Sequence, residues 1–285
     1  MTTVGLHVSR VRTDEKMILD AAQRRGVDVR VLDDRKLVFD LDEPPAELAD
    51  VDVVLERSVS YNASYYASLH LARYGIPCVN ENEVVRRCGD KAETSLLLAK
   101  AGVPTPRTIV TFDEASAEEA ARRLGYPVVL KPVVGSWGRL IAKAPDRETL
   151  LALVEHKTVL GGPQHGVIYI QEYVDKPGRD IRAFCIDGDA IAAIWRTNAS
   201  HFITNTAQGG SASRCEVTDE VRDLCRRASD AIGGGVLAMD LMERPDGSLV
   251  CHEVNHTMEF KNSVAPTGVD IPGRILEHVL EVGKR

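Results

Sequence analysis

Short β-rich runs alternate with helical patterns along the first third of the chain. Runs at residues 4–8, 27–32, 51–55 and 76–79 predict strands, and residues 13–25 and 62–74 predict helices that end at Gly26 and Gly75. This alternation predicts a parallel sheet with helices on its faces. The first strand is not followed by a Gly-x-Gly-x-x-Gly turn, so we expect no dinucleotide site there.

The remaining two thirds begin in the same way and then become rich in strands. Asp90 is a candidate N-cap for a helix to residue 101, and the pattern then predicts strands at 107–112 and 128–131 and helices at 114–124 and 147–156. Beyond residue 166 we predict strands at 167–174, 181–186 and 190–196, a helix at 220–232, a hairpin and a last helix at 271–282. We therefore divide this α/β (α+β) chain into domains at 1–89, 90–165 and 166–285.

Composition indicates a soluble globular protein. The 285 residues are 44% hydrophobic and 27% charged, with a net charge of −7, which argues against a protein that coats nucleic acid. The six cysteines are scattered without zinc or redox spacing, as in a reducing compartment. The first residues lack a signal-peptide pattern, and no apolar run is long enough to span a bilayer, so we expect a cytoplasmic protein without a membrane partner.

The predicted hairpin brings two acidic residues together. Runs at 236–243 and 248–255 flank Arg244-Pro245-Asp246-Gly247, and Asp-Gly is a strong hairpin signal. A turn centred between Asp246 and Gly247 places residue 243 opposite 250 and Asp240 opposite Glu253, with Asn255 on the same face. Facing carboxylates repel unless a cation lies between them, and this all-oxygen set suits Mg²⁺. The alternative is that both carboxylates are solvated or paired with nearby Lys or Arg.

Several basic residues have positions suited to phosphate. Lys131 ends a short apolar strand, and the next segment is rich in glycine, which lets backbone N–H groups approach an anion: Gly135, Ser136, Trp137, Gly138 and Arg139. Its spacing does not fit a P-loop. Lys91 opens a helix, where the helix dipole disfavours a cation; this makes a functional role slightly more favoured than for a lysine elsewhere, and an exposed lysine remains the default interpretation.

Two further groups of residues complete the candidate site. A strand end could present backbone groups to an adenine through Gln171, Glu172, Tyr173 and Val174. Arg182 and Arg196 lie on strands in apolar surroundings, where an arginine normally needs an anionic partner.

These pieces, in this order, resemble the ATP-grasp superfamily. The resemblance is stronger to the branch that contains the ribosomal-protein glutamate ligases and the LysX group of α-aminoadipate–carrier-protein ligases. Its most specific stretch is Glu253-Val254-Asn255-His256-Thr257-Met258-Glu259-Phe260-Lys261-Asn262, followed by Thr267-Gly268-Val269-Asp270-Ile271-Pro272-Gly273. Asn205-Thr206-Ala207-Gln208-Gly209-Gly210 is similar to that group's substrate-side loop.

The resemblance implies a three-part ATP-grasp fold with ATP between the central and C-terminal domains. Mapped by position, it implies that ATP is held by Lys91, Lys131, the loop from Gly135 to Arg139, and Glu172 and Val174. It also implies that Arg182 and Arg196 face the phosphates, with Arg182, Arg196 and Lys131 acting in catalysis. Asp240, Glu253 and Asn255 would bind Mg²⁺, in agreement with the hairpin.

The implied reaction joins a carboxylate to an amine through an acyl phosphate. In the LysX group the carboxylate belongs to the C-terminal glutamate of a small acidic carrier protein, LysW, and the amine to α-aminoadipate or glutamate. We expect this carrier and an amino acid as partners, and a homo-oligomer. The candidate amino-acid site consists of Asn205, Thr206, Ala207, Glu259, Phe260, Lys261 and Asn262.

Three alternatives remain at this stage. Abundant arginine suggests a GC-rich genome, where LysX-like ligases also act on unusual amino acids in secondary metabolism. A second alternative is addition of glutamate to a ribosomal-protein tail. A third, from another class, is a non-catalytic nucleotide-binding regulator.

Overall fold

The N-terminal lobe is a parallel sheet, as predicted. The computed structural model describes residues 2–198, 202–204 and 209–284. Its first elements are β1 (Thr3–Val8), α1 (Thr13–Arg25), β2 (Asp28–Asp33), β3 (Val53–Glu56), α2 (Tyr61–Tyr74) and β4 (Cys78–Val79). All strand pairings are parallel, in the order β2-β1-β3-β4. Gly26 and Gly75 end the two helices in the left-handed conformation, with φ of 64° and 72°, which glycine adopts without steric cost.

Two helices lead from this lobe to the central one. They are α3 (Asn82–Gly89) and α4 (Lys91–Lys100). The Asp90 carboxylate accepts hydrogen bonds from the N–H groups of Ala92 (2.8 Å) and Glu93 (3.1 Å), which is the predicted N-cap. The central lobe contains β5 (Thr108–Thr111), α5 (Glu114–Leu124), β6 (Val128–Lys131), β7 (Ala142–Ala144), α6 (Arg147–Leu160) and β8 (Ile168–Glu172). Its antiparallel sheet has the order β5-β8-β6-β7.

The C-terminal lobe is built on a five-stranded sheet. It contains β9 (Arg179–Ile186), β10 (Asp189–Thr197), β11 (Ser211–Cys215), α7 (Asp219–Ile232), β12 (Val236–Glu243), β13 (Leu249–Asn255), α8 (Val264–Thr267) and α9 (Ile271–Val282). The antiparallel sheet has the order β11-β10-β9-β12-β13. The sequence patterns did not predict the helix α3 or the short elements β7, β11 and α8.

The structure departs from both limits predicted for the central domain, one through strand pairing and the other through core packing. Strand β8 lies beyond residue 165, yet it hydrogen-bonds to both β5 and β6 and so belongs to the central sheet. Helix α4 lies after residue 90, yet its Leu98 packs into the core of the C-terminal lobe. The central sheet therefore extends from Thr108 to Glu172, because long-range pairing rather than chain order decides lobe membership.

Both faces of the C-terminal sheet are buried. On one face, Phe184 and Ala238 share a core with Leu6 and Leu55 of the N-terminal lobe. On the other face, Leu237 packs with residues of α7 and with Leu98. The site-bearing sheet is therefore held between two layers. Among the described residues, no helix is both long and apolar enough to cross a membrane.

The hairpin brings Asp240 opposite Glu253 by a route that differs from the predicted one. Arg244 N–H donates to Ser248 O (2.9 Å) and Gly247 has a φ of 86°, so the turn has three residues and places Glu243 opposite Leu249 rather than residue 250. The register then shifts by one residue after Leu241–Cys251, and Asp240 pairs with Glu253. The predicted pair is confirmed, whereas the register near the turn was wrong, because a bulge at His252 compensates for the longer turn.

Candidate active site

One cavity of about 290 Å³ is lined by residues of all three lobes. The C-terminal lobe contributes Arg182, Arg196, Glu253, Asn255, His256, Thr257 and Glu259, and the central lobe contributes Val134, Gly135, Ser136 and Trp137. The N-terminal lobe contributes Arg12, Ser58, Val59, Tyr61 and Ser64, and Cys88, Gly89 and Lys91 line it where α3 meets α4. Part of the sequence-predicted set thus meets at one place, together with an N-terminal wall that the sequence did not reveal.

A row of charged residues crosses the sheet beside the cavity. Asp240 on β12 pairs with Arg182 on β9 and with Glu253 on β13. The Arg182 guanidinium donates through Nε and Nη2 to the two Asp240 oxygens, each at 2.8 Å. Arg196 Nη2 lies 3.1 Å from Asp240 Oδ2, and Asp240 is completely buried. This arrangement is the ion-pairing alternative raised for the hairpin, with two arginines placed to neutralise the acid.

Burial and charge act in opposite directions on Asp240 and Arg182. Burial alone would raise the pKa of Asp240, but attraction to Arg182 and Arg196 holds that pKa below its usual range. Burial would lower the pKa of Arg182, but its contacts with Asp240 raise it above the ordinary value. Both residues are therefore charged at neutral pH, and each compensates for the burial of the other.

A second acidic group lies beside this row. Arg196 Nε donates to Asp180 Oδ1 at 2.7 Å, and Lys176 Nζ donates to Asp180 Oδ2 at 2.9 Å. Three cations (Arg182, Arg196 and Lys176) thus share two buried carboxylates. The excess of positive charge at this end of the cavity suits an anionic ligand.

Lys91 connects the glycine-rich loop to the hairpin. Its Nζ lies 3.0 Å from Glu253 Oε1 and donates to Gly135 O at 2.6 Å, while its own N–H donates to Val133 O at 2.8 Å. Burial would raise the pKa of Glu253, but Lys91 contributes most to the opposing effect, and the pKa lies below its usual value. Lys91 therefore has partners at the site and is not an ordinary exposed lysine.

Lys131 is a buried cation at the end of β6. Its Nζ donates to Gln171 Oε1 at 2.7 Å and lies 3.5 Å from His252 Nδ1. Burial lowers the pKa of Lys131 to about 8, with Lys91 acting in the same direction and Glu253 opposing it. Burial lowers the pKa of His252 to about 3, so that imidazole is neutral. Lys131 is absent from the cavity wall, and no carboxylate among the described residues is in hydrogen-bond contact with it, so its charge is available to a phosphate that binds nearby.

The other predicted nucleotide residues lie outside the cavity wall. Gln171 Nε2 donates to Tyr169 Oη at 2.8 Å, the Glu172 carboxylate pairs with Arg244, and Val174 is buried. Lys143 Nζ lies 3.7 Å from the centre of the Tyr173 ring. In the glycine-rich loop, Gly138 and Arg139 do not line the cavity, and the Arg139 guanidinium lies 5.3 Å from the centre of the Trp137 ring.

The predicted amino-acid site is only partly brought to the cavity. Glu259 lines it, whereas Phe260 is completely buried in the core, and Lys261 and Asn262 are exposed and absent from the wall. Phe260 and Lys261 point elsewhere because both of their N–H groups donate to the buried Asp14 carboxylate and fix this turn. The predictions for Asn205, Thr206 and Ala207 lie outside the described residues.

The residues that sequence reasoning missed come from the N-terminal lobe. Arg12 follows β1, and Ser58 and Tyr61 follow β3, so they lie at the carboxyl ends of parallel strands. Ligands bind at this edge of open α/β sheets. That rule could have selected these loops, although it could not have selected the individual residues.

Comparisons with known proteins identify the family and the fold. Residues 4–87 match the LysX preATP-grasp domain, and residues 88–279 match the RimK-like ATP-grasp domain. An ATP-grasp RimK domain protein from Sphaerobacter thermophilus has a TM-score of 0.81 at 26% identity, over 98% of this chain and 100% of the other. Fold and site define an ATP-dependent carboxylate–amine ligase with the ATP-grasp fold. The chain belongs to the RimK-like ATP-grasp family, which confirms the predicted resemblance.

Curated relatives extend along almost the whole chain. α-Aminoadipate–LysW ligase LysX of Saccharolobus solfataricus is 34% identical over 279 residues, covering 96% of this chain and 99% of the relative. Glutamate–LysW ligase ArgX of Sulfurisphaera tokodaii is 29% identical over 280 residues, covering 98% of each. The ATP-grasp ligase PsnB, complexed with a minimal precursor, Mg and ADP, has a TM-score of 0.75 over 98% of this chain and 97% of PsnB, and at 20% identity it supports the fold alone.

Proposed function

We propose that this ligase joins the side-chain carboxylate of the C-terminal glutamate of a small acidic, LysW-like carrier protein to the α-amino group of α-aminoadipate. The observation that carries this proposal is the 34% identity to LysX along nearly the whole chain. The shared cavity supports it, because cations for a polyphosphate and a polar wall for a second substrate open into the same space. That the protein is cytoplasmic and a homo-oligomer stays a prediction.

The residues beside the cavity are compatible with Mg²⁺. Glu253 and Asn255 line it and offer hard oxygen ligands, and the buried Asn255 Nδ2 has no hydrogen-bond partner among the described residues. The described residues contain no group of three or more His, Cys, Asp or Glu placed to hold a metal without further ligands. This fits an ion that shares its ligands with substrate phosphates. Mg²⁺, when bound, would neutralise developing charge on the phosphates.

Asp240 differs from the other two proposed ligands. Both of its oxygens accept hydrogen bonds from Arg182, and it is absent from the cavity wall. We therefore propose Glu253 and Asn255 as the direct ligands. Asp240 could join them only if Arg182 released it, and otherwise it positions Arg182 and Arg196.

The proposed reaction has two chemical steps, and cationic side chains act in both. We propose that Lys91, Lys131 and the loop from Gly135 to Arg139 hold ATP while the carrier carboxylate attacks the γ-phosphorus and ADP leaves. The α-ammonium group loses one proton to become the free amine, which attacks the acyl carbon; the bond from that carbon to the phosphate oxygen breaks, inorganic phosphate leaves, and the nitrogen loses a second proton and keeps one as the amide forms. Arg182 and Arg196, held in place by acidic partners, stabilise the phosphate charge in both steps.

The identity of the acceptor separates this proposal from its alternatives. ArgX relatives at 29% identity act on glutamate by name, so glutamate is the second candidate. An unusual amino acid of secondary metabolism and a ribosomal-protein tail use the same chemistry. A non-catalytic regulator is disfavoured, because the candidate metal ligands and phosphate cations are all present.

ADP release tests the proposal directly. The enzyme would be assayed with Mg·ATP and a LysW-like carrier that ends in glutamate, with α-aminoadipate, with glutamate or with neither. A carrier whose final glutamate is replaced by glutamine is the matched control. We expect amide and ADP to form together only with the intact carrier, and fastest with α-aminoadipate. Preference for glutamate would favour the second candidate, and activity independent of the carrier would contradict the proposal.

A further inference from the structure

An ion pair between two lobes forms part of the cavity wall. Arg12 Nη1 donates to Glu259 Oε1 at 2.6 Å, and both residues line the cavity. Arg12 belongs to the N-terminal lobe, whereas Glu259 follows the hairpin in the C-terminal lobe. The Arg12 side chain is 13% exposed and that of Glu259 is 30% exposed, so a ligand in the cavity can reach both groups.

The guanidinium of Arg12 is also held by the buried carboxylate of Glu15. Its Nε and Nη2 donate to the two oxygens of Glu15, each at 2.9 Å, and Glu15 is completely buried. Arg57 donates to Glu15 as well, at 3.0 and 2.8 Å. A guanidinium has five N–H donors, and these contacts with Glu15 and Glu259 use three of them. Two donors of this cation therefore have no partner among the described residues and are available to a ligand.

Glu259 retains acceptor capacity in a similar way. Trp137 Nε1 lies 3.3 Å from each Glu259 oxygen, so Oε1 receives both Arg12 and the indole, while Oε2 receives the indole alone. An ionised carboxylate has about four lone-pair sites. Oε2 can thus accept a further hydrogen bond from a cationic donor in the cavity.

These charges are complementary to one class of small molecule. An α-amino acid is a zwitterion whose ammonium and carboxylate groups are attached to a single carbon. A contacting glutamate and arginine present the opposite charges at a similar separation, and charge-assisted hydrogen bonds are the strong ones. Neither a phosphate nor a simple amine would use both members of the pair.

We propose that Arg12 and Glu259 form the subsite for the backbone of the acceptor amino acid. Glu259 binds the α-ammonium group and Arg12 binds the α-carboxylate. This inference rests on the proposed function and deepens it, because it assigns the second substrate to the boundary between the N- and C-terminal lobes. The exposed Lys261, favoured by the sequence, takes no part.

A competing explanation is that the pair only fastens the lobes together. The two explanations separate when the nucleophile is changed. Hydroxylamine has no carboxylate and little need for an anchor, yet it traps an acyl phosphate as a hydroxamate. Loss of a contact with the amino acid should therefore slow the amino-acid reaction and spare the hydroxylamine reaction. If the pair only holds the two lobes together, its loss should slow both reactions.

The first experiment compares Glu259→Gln with Lys261→Ala in the presence of carrier and Mg·ATP. Removing one charge-assisted contact should raise the KM for the amino acid about 10- to 100-fold in Glu259→Gln. Hydroxamate formation and the KM for ATP should stay within about twofold of wild type. Lys261→Ala, altered two residues away on an exposed side chain, should behave as wild type in every assay.

The second experiment changes the substrate and compares two substrates within each enzyme, so a general loss of activity in a variant cancels from the ratio. The α-carboxamide of the amino acid lacks the group assigned to Arg12, and wild type should use it about 10- to 100-fold less well than the acid. Arg12→Lys should still prefer the acid, whereas Arg12→Gln should discriminate only weakly. If the preference for the acid depends on the residue at position 12, the contact between Arg12 and the α-carboxylate is measured directly.

The outcomes are distinct. An unchanged amino-acid KM in Glu259→Gln, or a parallel loss of hydroxamate formation, overturns the subsite, as does equal discrimination against the amide by wild type and Arg12→Gln. If wild type forms neither ADP nor hydroxamate with any acidic carrier, the proposed function itself fails, and the subsite fails with it.

Discussion

Arg182 on β9 and Asp240 on β12 lie directly opposite each other, joined by two parallel hydrogen bonds of 2.8 Å. Asp240 is completely buried and is also close to Arg196, which is 2% exposed. Asp240 is therefore the carboxylate partner of Arg182 and shares Arg196 with Asp180. This relationship changes what a substitution at Asp240 should do, because it removes attraction rather than repulsion.

We expect Asp240→Asn to lower the free energy of unfolding by about 3 kcal/mol, since it removes the buried carboxylate charge that holds Arg182 and leaves Arg196 with Asp180 as its acidic partner. Urea unfolding followed by circular dichroism would measure the change. Asp223→Asn is the matched control, because Asp223 also contacts two arginines, Arg226 and Arg227, but on an exposed helix surface. No measurable loss is expected there. Equal stabilities of the two variants would contradict the role assigned to Asp240.

Glu253→Gln should abolish activity and leave the protein folded. Glu253 has a partly exposed side chain, and its cationic partner Lys91 keeps the hydrogen bond to Gly135 O after the change, so we expect a smaller cost in stability than for Asp240→Asn. Loss of a proposed metal ligand should lower ADP formation at least about 100-fold, with partial recovery at high Mg²⁺. Glu243→Gln, which alters the same hairpin near Arg179, is the control and should retain activity. Near wild-type turnover of Glu253→Gln would remove this residue from the proposed metal site.

The glycine-rich loop should close over the nucleotide. Trp137 connects this loop to Glu259, and the chain has two tryptophans, so Trp195→Phe leaves Trp137 as the single reporter. We expect its fluorescence to change, and the amides near residues 135–138 to gain protection from hydrogen exchange, when a non-hydrolysable Mg·ATP analogue binds. Trp137→Phe supplies the control signal of Trp195. Equal protection with and without nucleotide would argue against a closing loop.

ATP affinity should depend on the protonation of Lys131. Burial lowers the pKa of Lys131 from its ordinary value to about 8, so the ammonium is charged below that pH and neutral above it. An anionic nucleotide binds the charged form, so the Kd should rise as the pH increases from about 7 to about 9.5. Arginine keeps its charge throughout this range, and Lys131→Arg should flatten the profile in calorimetric titrations. The same pH profile in both enzymes would show that another group is responsible.

Local patterns were sufficient to predict most of the elements. Helices α1, α5 and α9 have the predicted bounds, because hydrophobic periodicity, N-caps and terminal glycines are encoded within a few residues. The pairing of Asp240 with Glu253 was also predicted, although the turn length and the bulge at His252 were not. Two errors of one residue cancelled, which shows that a register inferred from a turn motif needs an independent check.

Family, fold class and reaction type could be inferred from the sequence itself. The stretch from Glu253 to Asn262 holds the family signature in consecutive residues, so it can be recognised without knowing the fold. Only the tertiary structure decided that Asp240 contacts Arg182, that Lys261 is outside the cavity, and that Arg12 meets Glu259 across 247 residues of sequence. These contacts depend on how three lobes pack against one another, and packing is a property of the whole chain that no local pattern contains.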